Sequence, residues 1–319
     1  MNHWFTLEEA MIIVTGATGR LGSKIVEKLL DHVPAETVGV SVRDPDKAAA
    51  LTARGVRARA GDFTDPATLD HAFEGAGQVL VVSAAIRGPQ AAGANKVAID
   101  AAVRAGASRV LYTSHQVASP GSLFDPGRQH ASTEKHLAEQ DIAHTALRHG
   151  FYASTFELYA PAALRTGELR LPADGPVSWT AHADLAEADV IALTRPGALD
   201  GVTPPLTGPE LLDFADVARI LSEVTGRTIT RVVVDDEEWK AAVTAQGMPA
   251  AAAEFTLGMF RAARAGEFAV TTRLWKTCSD GRRSQRVRLS RTSCSSRSPP
   301  VVEARPRCGH GVRRVGLTR

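Results

Sequence analysis

Met11-Ile-Ile-Val-Thr15-Gly16-Ala-Thr18-Gly19-Arg20-Leu21-Gly22 is the stretch whose reading decides the fold. Its apolar start predicts a strand, its three glycines a turn, and the periodic segment Leu21 to Leu30 a helix packed back on that strand. Each glycine has a physical task. Gly16 permits the tight turn, Gly19 lets the backbone approach a pyrophosphate facing the helix N-terminus, and Gly22 allows close helix–strand packing. The spacing Gly-x-x-Gly-x-x-Gly is one residue wider at its first interval than the dinucleotide fingerprint Gly-x-Gly-x-x-Gly. An ordinary strand-to-helix turn uses the same residue types, so the surrounding chain must decide between the two.

Outward from that turn, Val38 to Val42 reads as a second strand, followed by Arg43-Asp44-Pro45 and a helix to about Arg54. Val56 to Ala60 is a third strand ending at Gly61-Asp62-Phe63, and Asp65-Pro66 opens a helix, as proline in a first turn prefers. Gln78 to Val82 is a nearly all-apolar fourth strand, as in a parallel sheet covered on both faces. The segment Ala91 to Ala105 is helical with Gly106 as its stop, and Ser108 to Tyr112 is a fifth strand leading into Thr113-Ser114-His115. A helix over 130–141 and a strand from Ile142 to Leu147 complete this half. The expected fold class is α/β, a Rossmann-type doubly wound parallel sheet. Ligands of such sheets sit beyond the strand C-termini, where this chain has Gly16, Arg43, Asp62, Ser83 and Thr113.

Between Thr155 and Pro209 the pattern is irregular, with one clear helix at Ala183 to Leu193. A helix at Leu211 to Val224, a strand at Thr228 to Val234 and helices at Asp236 to Ala245 and Ala250 to Ala265 then predict a small C-terminal α/β substrate lobe that completes a cleft. The expected organisation is a leader at 1–10, a dinucleotide-binding core at 11–154, a mixed segment at 155–270 contributing to core and lobe, and a basic tail at 271–319.

The net charge of +2 conceals a sharp division. From Arg273 onward there are 13 Lys or Arg against two acids, leaving 24 bases and 33 acids in the body. All three cysteines, Cys278, Cys294 and Cys308, lie in the tail, so the body holds no thiolate nucleophile and no Cys-ligated metal. No run of about 18 apolar residues is present, and the first residues carry Glu8 and Glu9 with no signal-peptide pattern, which points to a cytoplasmic protein without a membrane span. The 10 histidines show no ligand-like spacing with a carboxylate on one helix, so no metal is expected.

Arg43 follows the second strand, where an acid would bond a ribose 2′-hydroxyl and an arginine accepts a 2′-phosphate instead. That favours NADP(H), with NAD(H) kept open because Asp44 is one residue away. Asp62 can bond an adenine amino group or simply form a turn, and Ser83-Ala84-Ala85 leaves room beside a cofactor. Catalytic candidates are Thr113 and Ser114 with His115 at the end of the fifth strand, His130, Glu134 and Lys135 on the next helix, and Arg148, His149 and Tyr152 beyond the sixth strand. Lys135 can bond the nicotinamide ribose or be a solvated helix lysine; Tyr152 can donate a proton or form an aromatic wall. Tyr112, Tyr152 and Tyr159 are followed four residues on by Gln116, Phe156 and Ala163, so the Tyr-x-x-x-Lys relay for protonating an alkoxide is missing. A quinone or similarly electrophilic conjugated acceptor depends on it less, because its reduced oxygens take protons from water.

Together these residues resemble the NmrA-like atypical short-chain dehydrogenase/reductase family, with the strongest likeness to its NAD(P)H:quinone oxidoreductase and triphenylmethane reductase branch. The likeness rests on Val14 to Gly22, Val42-Arg43-Asp44, Gly61-Asp62-Phe63, Thr133-Glu134-Lys135, Leu147 to Tyr152, Asp184-Leu185-Ala186, Leu206-Thr-Gly208 and Leu221 to Arg227. It implies that Gly16, Thr18, Gly19, Arg20, Leu21 and Gly22 hold the pyrophosphate, Arg43 the 2′-phosphate, and Asp62 with Phe63 the adenine side. It further implies that Ser83, Ala84, Ala85 and Ile86 run beside the cofactor, with Thr113 and Ser114 below the nicotinamide. Phe151, Tyr152 and Trp179 are candidates for a dry wall around the acceptor. The family often has asparagine after the arginine of its Leu-Arg-Asn-Gly stretch, where this chain has His149.

The implied activity is NADPH-dependent hydride transfer to a quinone or similar small planar organic acceptor. The alternatives are a non-catalytic dinucleotide-binding redox sensor and, second, a reductase or epimerase of sugars or isoflavone-like substrates. A homo-oligomer is compatible with the sequence. Family members continue past Thr272 with an acidic helix, whereas this chain turns to Arg, Ser and Pro. Three readings of that tail compete: a basic arm for nucleic acid or an acidic surface, an idle disordered segment, and a frame-shifted end, which is the favoured one.

Overall fold

The computed structural model describes residues 11–86 and 88–272. The leader and the tail from Arg273, with the frame-shift reading attached to it, lie outside the described residues.

The first strand, β1 (Met11–Thr15), sits inside a seven-stranded parallel sheet. After it come α1 (Arg20–Leu29), β2 (Val38–Val42), α2 (Ala49–Thr52), β3 (Arg57–Ala60), α3 (Pro66–Ala72) and β4 (Ala76–Val81). The chain continues through α4 (Gln90–Arg104), β5 (Arg109–His115), α5 (Asp125–Ala138), β6 (Ala143–His149), α6 (Ala160–Thr166) and β7 (Glu168–Pro172). Then follow α7 (His182–Thr194), β8 (Gly201–Val202), α8 (Phe214–Thr225), β9 (Thr230–Val234), α9 (Asp236–Ala245) and α10 (Ala250–Arg264). The sheet order is β3-β2-β1-β4-β5-β6-β8, so the winding reverses between β1 and β4 and opens a crevice at their C-terminal ends.

Alternation along the strands explains the two-sided burial. Ile12, Val14, Leu80 and Leu111 point to one core with Ile25, Val26 and Leu29 of α1 and Leu185 of α7. Ile13, Val79, Val81, Val110 and Tyr112 point to the other, with Leu69 of α3, Ala98 and Ile99 of α4 and Leu137 of α5. The short strand β8 pairs with β6 through Thr145 and Ala146, extending the sheet by one edge strand. The remaining elements make a smaller lobe: β7 pairs in parallel with β9, and Arg231 on β9 reaches Asp174 at 3.0 Å. Asp213 begins α8 with a reciprocal capping box to Asp216, and Gly226 ends it at a positive φ of 69°.

Several boundaries differ from the sequence expectations. Helix α5 starts at Asp125 rather than at residue 130, because Pro126 occupies its first turn and buried Phe124 anchors its entry. The segment after β2 is only a 3₁₀ turn, Pro45–Ala48, and the four-residue α2. Strand β5 runs on through Thr113 and Ser114 to His115, held by pairing to β6. The stretch read as irregular contains α6, β7 and β8 besides the expected α7.

Candidate active site

The glycine turn leaves β1 at Gly16, whose φ of +61° suits a residue without a side chain. Its N–H donates to the Ser41 carbonyl at 3.0 Å, and Gly19 N–H donates back to the Gly16 carbonyl at 2.9 Å. A Cβ on Gly22 would overlap that same carbonyl, so α1 lies against the turn only because Gly22 has none. Gly19 caps α1 with no side-chain hydrogen bond, and the first turn carries no acid. The N-terminus of α1 therefore presents bare N–H groups to the crevice, beside exposed Thr18 and Arg20 and above buried Leu21. Arg20 crosses to Glu157 at 2.7 Å.

At the end of β2 the two neighbours divide their tasks. Asp44 accepts from Asp46 N–H at 3.2 Å, capping the 3₁₀ turn, and its other oxygen lies 3.5 Å from Lys47. Arg43 is exposed and makes no ion pair among the described residues. Asp62 stands close enough to feel Arg43, and the N–H and hydroxyl of Thr64, both donating to Oδ1 at 2.8 and 2.7 Å, hold its carboxyl below the ordinary range. Phe63 packs against the α3 side of the core.

After β4 the loop is pinned by its own backbone. Val82 N–H donates to Thr15 Oγ1, Ser83 N–H to Thr113 Oγ1 and Ala84 N–H to Asn95 Oδ1, each at 2.8 Å. Ser83, Ala84 and Ile86 are half-buried and Ala85 exposed, which leaves small side chains along the crevice. Thr113 and Ser114 are both buried, with the Thr113 hydroxyl shared with Ser83 and that of Ser114 donating to Glu134 Oε1 at 2.6 Å. Both hydroxyls are thus tied into the protein's own hydrogen bonds. Glu134 also receives Arg148 on both oxygens, at 2.9 and 2.6 Å. The Lys135 side chain is 79 % exposed and stands 3.9 Å from Glu139, on the outer face of α5.

An aromatic cluster covers the ends of β5 and β6. Phe151 packs at right angles to His115 and Trp179, and at 70° to Phe268. Gln116 organises it, accepting from Phe151 N–H at 3.2 Å and donating to the Phe268 carbonyl at 3.2 Å. Tyr152 is half-buried against His182, ring centroids 4.3 Å apart, and burial with Asp189 nearby pushes its phenol above the ordinary range. Trp179 is 1 % exposed, donates to the Leu212 carbonyl at 2.9 Å and packs behind Phe151 and Phe156. Phe124 links the cluster to Phe255, which with Leu123, Gly88 and Gly258 lines a cavity of about 600 Å³.

His149, in the place of the family's asparagine, lies buried with Nε2 2.8 Å from Asp189 Oδ1. Sequence reading missed Asn95, Gln116 and Asp189 as organisers. The first had one local signal, an amide on the alanine-rich buried face of α4. Among the described residues no group of three or more His, Cys, Asp or Glu side chains could hold a metal, and no helix is long and apolar enough to cross a membrane.

The chain is 35% identical to quinone oxidoreductase 2 of Escherichia coli over 242 residues, covering 75% of this chain and 83% of that protein. The crystal structure of an Escherichia coli NADPH-dependent quinone oxidoreductase with NADPH matches at a TM-score of 0.79 and 31% identity, covering 84% of this chain and 94% of that one. Citrobacter sp. triphenylmethane reductase with NADP(H) matches at a TM-score of 0.76 and 30% identity, covering 84% and 95%. With the NmrA-like family model matching residues 8–278 across this sheet, turn and lobe, the chain belongs to the NmrA-like family.

Proposed function

We propose that the protein is an NADPH-dependent oxidoreductase that passes hydride to a quinone or a similar conjugated, planar acceptor. The observation that carries this reading is the uncapped N-terminus of α1 at the reversal of the sheet, with Arg43 unpaired at its rim and Asp44 turned away into a cap. Bare N–H groups and a glycine turn suit a pyrophosphate, and a guanidinium suits a 2′-phosphate. Both Thr64 bonds fall on Asp62 Oδ1, which leaves Oδ2 for an adenine amino group. Ser83 to Ile86 run along the cofactor's side, and Phe151 with Tyr152 shields the reacting face from water.

Bound here, the dihydronicotinamide supplies two electrons as hydride. The chain contributes position and a dry apolar surround. No tyrosine–lysine relay is present, so acceptors whose reduced oxygens take protons from water are favoured over ketone–alcohol couples. The likeness to a quinone reductase and a triphenylmethane reductase supports the same acceptor class. The same reading puts the protein in the cytoplasm.

The test is NADPH binding followed by loss of reduced-nicotinamide absorbance on adding a panel of quinones and cationic dyes. Turnover with a quinone supports the reading. Tight binding with no oxidation by any acceptor sinks the enzyme and leaves a dinucleotide sensor.

A further inference from the structure

We propose that Asn95 is a positioning residue for hydride transfer: through Ala84 it fixes the loop that runs beside the nicotinamide half of the cofactor. The proposal rests on the oxidoreductase reading above.

Three successive N–H groups follow β4, and each finds a side chain on a different element. Val82 N–H donates to Thr15 Oγ1 of β1, Ser83 N–H to Thr113 Oγ1 of β5 and Ala84 N–H to Asn95 Oδ1 of α4, all at 2.8 Å. Strands β1 and β5 flank β4, so the first two bonds prolong the sheet. The third leaves the sheet and reaches a helix. Ala85 and Ile86, which come next, make no hydrogen bond among the described residues. Asn95 is therefore the outermost tie on this loop.

The tie is a rigid one. Asn95 lies buried on the face of α4 that also buries Ala94, Ala98 and Ile99. Its amide stands only one way round, because Oδ1 must meet the Ala84 N–H and a flipped amide would set donor against donor. The amide nitrogen then donates to Tyr112 Oη at 3.1 Å, on a tyrosine fully buried in β5. Both ends of the amide are occupied. Asn95 cannot swing away without leaving buried polar atoms unpaired, which is costly.

In the proposed cofactor site two regions share the binding. The bare N–H groups of α1 and the Arg43 guanidinium serve the phosphates and supply most of the affinity. The β4 loop serves the nicotinamide half. With their N–H groups taken by the protein, Val82, Ser83 and Ala84 offer a ligand only acceptor capacity, which suits ribose hydroxyls and a carboxamide N–H. Hydride transfer needs the reacting atoms about 3–3.5 Å apart, and a misplacement of about 1 Å costs on the order of 10²-fold. Freeing Ala84 therefore slows the transfer far more than it weakens cofactor binding.

The experiment compares the parent with Asn95→Leu, Asn95→Asp and Tyr112→Phe, with benzoquinone as acceptor. Asn95→Leu is expected to lower kcat by about tenfold to 10²-fold, the range for a displaced reactant. NADPH binding stays within about threefold, because the phosphate contacts are intact. Asn95→Asp keeps an oxygen for the Ala84 N–H and recovers part of the rate. Tyr112→Phe removes the other bond of the same amide and is the control: it lowers the urea midpoint as Asn95→Leu does, yet keeps kcat within about twofold because Ala84 stays held.

A second readout needs no acceptor. Emission of bound NADPH, strengthened and blue-shifted where the dihydronicotinamide is held, is expected to move back toward that of free NADPH in Asn95→Leu and not in Tyr112→Phe. Parental kcat in Asn95→Leu, equal kcat losses in Asn95→Leu and Tyr112→Phe, or emission insensitive to Asn95 would each overturn the proposal. Should Asn95→Leu fail to fold, Asn95→Ala takes its place with the same expected outcome. A parent that binds NADPH but reduces no acceptor defeats the oxidoreductase reading, and the emission comparison still decides whether Asn95 holds the loop.

Discussion

Arg148 and Glu134 meet in two parallel hydrogen bonds, Nε to Oε1 at 2.9 Å and Nη2 to Oε2 at 2.6 Å, with Glu134 8 % exposed between α5 and β6. Ser114 donates to the same carboxylate, so one side chain joins the ends of β5 and β6 to the helix carrying His130. Bidentate geometry makes such pairs strong, and removing one partner strands the other. Glu134→Ala is expected to cost about 2–3 kcal/mol, less than a fully sealed pair because Arg148 keeps some solvent contact. Urea unfolding of the two proteins measures it, and a loss below about 0.5 kcal/mol would show that the pair behaves as an ordinary surface bridge.

Arg43 is the second test. In the proposed cofactor site, where Asp44 caps the 3₁₀ turn, the Arg43 guanidinium is the group expected to distinguish a 2′-phosphate from a 2′-hydroxyl. Arg43→Ala is expected to weaken NADPH binding by about 10²-fold while changing NADH by less than about threefold, as one charge-assisted pair allows. Titration of both cofactors by fluorescence decides it; equal losses for both would remove Arg43 from the phosphate site.

How much of this was legible in the sequence follows from how local each feature is. The Gly16 turn, α1 and the apolar strands carry their signal within a few residues, and their packing obeys it. Strand β8 is two residues long and has no period to read, while β7 alternates over Glu168-Leu169-Arg170-Leu171 but finds its partner β9 only some 60 residues further on. Trp179 is a wall candidate in the sequence by its aromatic type, and only the fold brings the Leu212 carbonyl to its indole N–H. Lys135 and Glu134 are adjacent in sequence, yet successive helix positions face about 100° apart, and only Glu134 meets the sheet. The Asn95, Tyr112 and His130 chain joins three elements, which no single segment could show.

Two glycine substitutions separate steric need from mere tolerance. Gly22→Ala places a methyl into the Gly16 carbonyl, against backbone that cannot yield, and is expected to cost about 1–3 kcal/mol together with loss of NADPH binding. Gly93 lies in α4, exposed, with open space where its Cβ would stand. There Gly93→Ala is expected to stabilise by about 0.5–1 kcal/mol through lower unfolded-state entropy and better helix propensity. Thermal melts of both variants check the pair; two losses of equal size would mean that the space at Gly22 is not what matters.

Acid stability is set by three half-buried imidazoles. His130 at about 3, His182 at about 4 and His115 well below its ordinary value all resist protonation in the fold but accept protons near 6.5 once unfolded. Between those limits the unfolded chain binds more protons, so stability is full above the unfolded value and falls as pH drops toward 4. The lowered carboxyls of Asp62, Asp236 and Glu254 start to contribute only near and below their ordinary carboxylate range. Loss between pH 6.5 and 5 therefore belongs to the histidines. Urea midpoints across that interval are expected to decline, and His130→Gln to flatten the slope by removing one of the three groups. A slope unchanged in that variant would mean that His130 already charges within the fold, against the burial that holds it down.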